Sequence, residues 1–198
     1  MKRLTGVDAG FLYLETDAAH MHTLKVFVLT PSTGAEPYGF ERTKEQLAAR
    51  LHLLPPLRWR IVRVPLALHH PVWVEDPEFE MDRHLRHVRV PAPGGRREMD
   101  AAISEIAGRP LDRTRPLWEL WILEGLADGA IGAVMKIHHT LADGVAAAHM
   151  LANATTTEPT TRVPRAAEAA WHPEPIPSAV ELVLAAFRDY AQRCHRVR

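Results

Sequence analysis

The sequence predicts an α/β domain, an α+β two-layer sandwich in which a mixed sheet is packed with helices. Three observations predict it. Residues 131 to 137 form a short apolar run with β-branched members, which reads as a buried strand. Residues 118 to 123 form a second such run, joined to the first across Ala127-Asp128-Gly129, and an Asp-Gly turn between apolar runs signals a hairpin. Residues 40 to 54 and 96 to 107 repeat apolar side chains at helical spacing, through Phe40, Leu47, Leu51 and Leu54 and then Met99, Ala102, Ile103 and Ile106.

In chain order, residues 8 to 15 are a short aromatic-containing segment, and residues 24 to 29 are a strand apolar on both faces, hence expected in the sheet interior. Pro31 to Pro37 is a turn-rich loop. The helix over 40 to 54 stops at Pro55-Pro56, because proline lacks the N–H and restricts the residue before it. Residues 59 to 64, 72 to 74 and 88 to 90 read as short strands. A loop over 91 to 95 precedes the second helix, which Gly108-Arg109-Pro110 ends. Residues 145 to 151 are Ala-rich and read as a helix, with Asp143 where an N-cap would sit.

The expected organisation is one domain over 1–157, a Pro-rich linker over 158–177 and an amphipathic helix within 178–198. The linker holds Pro159, Pro164, Pro173, Pro175 and Pro177 and reads as extended rather than packed. The helix opens on the capping-box pattern Ser178-Ala179-Val180-Glu181. Its apolar residues Val180, Val183, Leu184, Phe187 and Ala191 follow the 3.6 period beside a basic end.

Composition excludes several classes. The 198 residues suit one domain with an appendage. With 24 basic and 24 acidic residues there is no electrostatic footprint for nucleic acid. Cys194 is the single cysteine, which rules out an internal disulfide. No stretch approaches ~20 uninterrupted apolar residues, and the N-terminus lacks the apolar core of a signal peptide. A cytoplasmic chain, or one peripheral to a membrane or lipid droplet, is expected. His84 with His87, and His69 with His70, lack the acidic or cysteine neighbours that would complete a metal site, so no metal is expected.

The chemistry concentrates at residues 136 to 151. His138 and His139 lie at a strand end, and an Asp-Gly turn follows. Strand alternation sends the two rings to opposite faces, so one can meet a cleft while the other is held in the packing. A neutral imidazole is the usual proton acceptor near neutral pH. Asp143 either caps the helix or holds the turn's geometry, and Gly144 serves the turn or a close backbone approach.

The spacing His138-His139-x-x-x-Asp143-Gly144 resembles the active-site motif of the CoA-dependent acyltransferase superfamily, which includes chloramphenicol acetyltransferase and peptide-synthetase condensation domains. Further matches point to its wax ester synthase/diacylglycerol acyltransferase branch. They are Leu4 to Phe11 with Glu15 and Met21-His22, then Val72 to Asp76 with Phe79 and His84-Leu85, Pro116-Leu117-Trp118-Glu119, and Lys136-Ile137-His138-His139. They fall in order over residues 1 to about 155.

The resemblance implies a chloramphenicol acetyltransferase-like half. It implies an active site of His139, His138 and Asp143, supported by Gly144, Pro116, Leu117 and Trp118. His139 would be the base and His138 structural support; Trp118 reads as core. The expected reaction is acyl transfer from acyl-CoA, a cosubstrate with no bound cofactor, to a long-chain alcohol or a diacylglycerol. No serine elbow of the type Gly-x-Ser-x-Gly is present, consistent with a route without an acyl-enzyme. Family members have two similarly built halves, so a second half in cis or in trans, or self-association, is the expected partner, with a lipid surface as the other candidate. The alternatives are a non-catalytic half that binds lipid or pairs with a separate chain, and an acyltransferase acting on a carrier protein.

Overall fold

A computed structural model describes residues 1–30, 39–141, 144–155 and 171–196. In chain order the elements are β1 (Lys2–Arg3), α1 (Gly6–Leu14), β2 (His22–Leu29), α2 (Phe40–Arg50), β3 (Trp59–Val62), β4 (Val72–Glu75), β5 (Leu85–Arg89), α3 (Arg96–Gly108), β6 (Trp118–Glu124), β7 (Ile131–His138), α4 (Gly144–Ala154) and α5 (Ala179–Arg196).

The main sheet has the order β2-β7-β6-β5, with β5 parallel to β6 and the other pairs antiparallel. A residue's parity decides its face. Leu24, Trp121, Leu123 and Val134 pack beneath α3, through Met99, Ala102, Ile103 and Ile106. Phe27, Leu120, Met135 and Ile137 take the opposite face, beneath α2 and α4. The β6–β7 connection is a 3-10 turn at Ala127–Gly129 in which both Asp128 and Gly129 have positive φ. This is the backbone that the Asp-Gly pair favours.

Three expectations need correction. There are two sheets, because β3 and β4 leave the main sheet and pair with each other, with β1 on the other side of β4, in the order β1-β4-β3. The strand expected in the interior, β2, lies at the sheet's edge. Its apolar residues are accounted for differently on the two faces: Phe27 packs with Ile122 and Ala133, while Val26 and Val28 stay exposed. Residues 8 to 15, to which the sequence assigned no element, are largely helical in α1, whose N-cap Thr5 accepts a hydrogen bond from the Asp8 N–H; Ala9 and Leu12 are its buried side.

The third correction concerns the tail. Of the expected linker, 158–170 lie outside the described residues, and Trp171 is docked rather than extended away. Its indole donates to Glu75 at 3.0 Å, with the Arg58 guanidinium over the ring. Helix α5 forms with the expected capping box, Ser178 and Glu181 bonding reciprocally. It docks through a different face from the one that periodicity selects. Leu182, Ala185 and Ala186 are buried, Leu182 against Val72 and Val74 of β4. Asp189 pairs with Arg3, and the Tyr190 hydroxyl donates to the Leu68 carbonyl. Val180, Leu184 and Phe187 remain exposed.

Candidate active site

The site begins where β7 ends. β2 and β7 pair in register up to His22 opposite His138, and the His139 N–H continues the ladder by donating to the Met21 carbonyl at 2.9 Å. On the other side of β7, the His138 N–H donates to the carbonyl of Leu117 at 3.1 Å. The chain then turns, with the Leu141 N–H closing onto the His138 carbonyl. Both neighbours of β7 therefore hold the histidine pair through main-chain bonds.

The two rings have opposite environments. His138 is fully buried, and its Nδ1 accepts the Thr140 N–H at 3.1 Å. A nitrogen that accepts from an amide carries no proton, so the neutral ring is protonated at Nε2. Nε2 lies 3.5 Å from Oε2 of Glu15. Burial pushes the His138 pKa down to about 4, against an opposing pull from the Glu15 charge. His138 is thus neutral across the physiological range. His139 is half-buried and stacks on Phe11 of α1, with ring centroids 4.8 Å apart.

Glu15, at the C-cap of α1, organises this region. Oε2 accepts from the guanidinium of Arg113, and Oε1 accepts the Met21 N–H at 3.2 Å. Burial would raise the carboxyl's pKa, but the Arg113 hydrogen bond, the Met21 N–H and the nearby positive charges outweigh it and hold it below the usual range. Thr140 is buried, and its hydroxyl donates to the Asp8 carbonyl at 2.9 Å.

The supporting residues have structural jobs. Leu117 supplies the carbonyl beneath His138. Trp118 is buried between His84, on which it stacks at 4.6 Å, and the Leu57 carbonyl, to which its Nε1 donates at 2.7 Å. Pro116 accepts the Trp118 N–H through its carbonyl. Lys136 is buried with its ammonium against the Ile106 and Arg109 carbonyls at the end of α3. It therefore satisfies helix-terminal acceptors rather than facing a cleft. Asp143 lies outside the described residues, and Gly144 begins α4.

On the α2/α4 side of the main sheet lies a cavity of about 450 Å³. Phe27, Leu57, Trp118, Leu120, Met135 and Ile137 are among its walls, with Lys25 and Gln46 among the few polar groups. Ile137, two residues before His139, is among its walls, and His139 itself lies in the turn beyond the strand. Sequence reasoning missed Phe11, Arg113 and Thr140. Phe11 and Glu15 appear in the sequence only as matches without a role. Arg113 lies 98 positions from its partner, beyond any local pattern.

This fold, with a His-His turn at the end of a central strand, defines a chloramphenicol acetyltransferase-like protein. A model of the wax ester synthase/diacylglycerol acyltransferase catalytic domain matches residues 4–197, and the chain belongs to that family. It is 46% identical to the Mycobacterium tuberculosis protein named "Putative diacyglycerol O-acyltransferase Rv0221", covering 100% of this chain and 41% of that protein. A solved wax ester synthase/diacylglycerol acyltransferase from Marinobacter aquaeolei VT8 superposes with a TM-score of 0.63 at 32% identity, covering 76% of this chain and 37% of that one. The first condensation domain of the calcium-dependent antibiotic synthetase gives a TM-score of 0.59 at 17% identity, over 77% of this chain and 36% of that one, a likeness of fold alone. The chain spans about 41% of the length of the curated relative it matches.

Proposed function

We propose that this chain is the N-terminal half of an acyl-CoA-dependent O-acyltransferase, with a long-chain alcohol or a diacylglycerol as acceptor and His139 as general base. The observation that carries the reading is the contrast between the two histidines. His138 is neutral, enclosed and committed through Nδ1 to Thr140, whereas His139 is half-buried and held by main-chain bonding and the Phe11 stack. A base needs an accessible lone pair and a fixed ring.

In the proposed reaction, His139 takes the hydroxyl proton as the oxygen attacks the thioester carbonyl. The tetrahedral intermediate then expels CoA thiolate, which recovers that proton from the imidazolium. The ester and free CoA leave, and no acyl group is carried on the protein. The apolar cavity beneath α2 and α4 suits an aliphatic chain, because its walls offer few polar partners. CoA is a cosubstrate, and the remaining part of the site belongs to a second half.

A second reading is a half that pairs without catalysing. It is favoured by the exposed row Val180, Leu184 and Phe187 on α5. Among the described residues no helix is long and apolar enough to cross a membrane.

The test is free-CoA release with a long-chain alcohol, using the form of the protein that turns over substrate. His139→Ala should lower kcat by ~10²–10⁴-fold, the usual worth of a general base. His138→Asn, which keeps an acceptor for the Thr140 N–H, should lower it less. Wild-type turnover in His139→Ala removes His139 from the mechanism.

A further inference from the structure

Helix α1 touches the histidine turn at three points. The Asp8 carbonyl accepts the Thr140 hydroxyl, Phe11 stacks on His139, and Glu15 faces Nε2 of His138. The last contact is chemically distinctive. Because Nδ1 of His138 accepts the Thr140 N–H, the ring's proton sits on Nε2. That buried Nε2 has no partner within hydrogen-bonding geometry, and the nearest charged group is the Glu15 carboxylate at 3.5 Å. Small adjustments of either side chain would close the gap.

Glu15 also reaches His139 by a second route. Oε1 accepts the Met21 N–H, and the carbonyl of the same residue accepts the His139 N–H. Arg113 fixes the carboxylate from behind, donating through Nε at 2.9 Å and through its terminal nitrogen. With one arm aimed at the His138 ring and the other at the main chain that carries His139, the pair does more than close a surface ion pair. The glutamate side chain is only 8% exposed, so solvent screens these contacts weakly.

We propose that Glu15, held by Arg113, is the positioning residue of the histidine pair, orienting the His138 ring through Nε2 and the His139 backbone through Met21. The proposal rests on the reading of His139 as the base, and its role is comparable to that of a carboxylate that orients a functional imidazole through its second nitrogen. Glu15 touches no reacting atom in this account.

The test has an arm that needs no turnover. In the ¹⁵N-labelled 198-residue chain at neutral pH, long-range imidazole correlations should show His138 as the Nε2–H tautomer. Glu15→Gln removes the charge but keeps an acceptor for the Met21 N–H. It should shift the His138 ring nitrogens and the His139 amide, with smaller changes at His84, whose Nδ1 is bonded to the Trp118 carbonyl rather than to Glu15. Glu15→Asp serves should Glu15→Gln fail to fold: it keeps the charge for Arg113, withdraws it from His138, and should move the same signals.

The second arm measures acyl transfer. Glu15→Gln should lower kcat by about 10-fold or more, leave KM for acyl-CoA within about twofold, and leave the pH dependence of KM unchanged. A purely structural ion pair would instead lower the melting temperature without moving the ring signals or separating kcat from KM. Wild-type His138 and His139 signals in a folded Glu15 variant overturn the proposal. So does wild-type kcat in Glu15→Gln when His139→Ala is inactive. Full activity in His139→Ala overturns the reading of the base itself, whatever Glu15 does.

Discussion

His138 should make the folded chain acid-sensitive. Its pKa falls to about 4 in the folded state from a usual value near 6.5, because burial disfavours the imidazolium. The unfolded chain therefore binds the proton first as pH falls. Stability attributable to the neutral ring is complete above the unfolded value, declines as pH drops below about 6.5, and levels off below about 4. A shift of this size corresponds to about 3 kcal/mol in full, of which about 2 kcal/mol is lost between pH 7 and pH 5. Exposure does not discount it, since the side chain is 1% exposed. Urea unfolding of wild type and His138→Asn across this range isolates the effect. The asparagine oxygen can accept the Thr140 N–H, so packing loss should appear as a pH-independent offset. The wild-type curve should fall toward the variant's by about 2 kcal/mol as pH drops from 7 to 5. Parallel curves would show that His138 is not held neutral, and the assignment of its proton to Nε2 would lose its support.

Two further outcomes follow from particular contacts. Trp118→Phe keeps a ring against His84 but leaves the buried Leu57 carbonyl without its donor, so chemical denaturation should show a loss of about 1–3 kcal/mol; an unchanged midpoint would mean that water replaces the indole. Leu184→Glu with Phe187→Glu puts charge on the exposed row of α5 without touching Leu182, Ala185 or Ala186. The chain should keep its melting temperature and lose any self-association seen by sedimentation, whereas unfolding would show that the row is buried.

Much of the architecture was legible because local signals and tertiary demands agreed. The apolar run of β7, the Asp-Gly turn before it and the helical spacing of α3 each carry one signal that packing then confirms. What was not legible depended on pairing between distant segments. Nothing local to Trp59 or Val72 says that their strands pair with each other, and Val72's with Lys2–Arg3, instead of joining the main sheet. In β2, apolar residues on both faces suggested an interior strand, yet burial of side chains and pairing of the backbone edge are separate properties. For α5, the apolar repeat marked the stripe with the larger side chains, and nothing local marked Leu182, Ala185 and Ala186 as the side that this chain itself buries. At the site, His138 is buried and His139 half-buried, and the strand ends between them, so strand alternation alone does not account for the difference. The Glu15–Arg113 clamp had no local signature. Asp143, expected to cap or brace the turn, lies outside the described residues.

The central claim is that this chain contributes a base and an apolar chamber to a site that a second half completes. The most direct measurement is free-CoA release from a long-chain acyl-CoA and alcohol by the 198-residue chain, alone and with the remaining part of a relative's length supplied in trans. The account predicts little or no turnover from the chain alone, since a base without orientation and oxyanion stabilisation supplies only part of the acceleration. It predicts activity on addition of the second half, abolished by His139→Ala. Full turnover by a monomeric 198-residue chain, or restored turnover indifferent to His139→Ala, would contradict it.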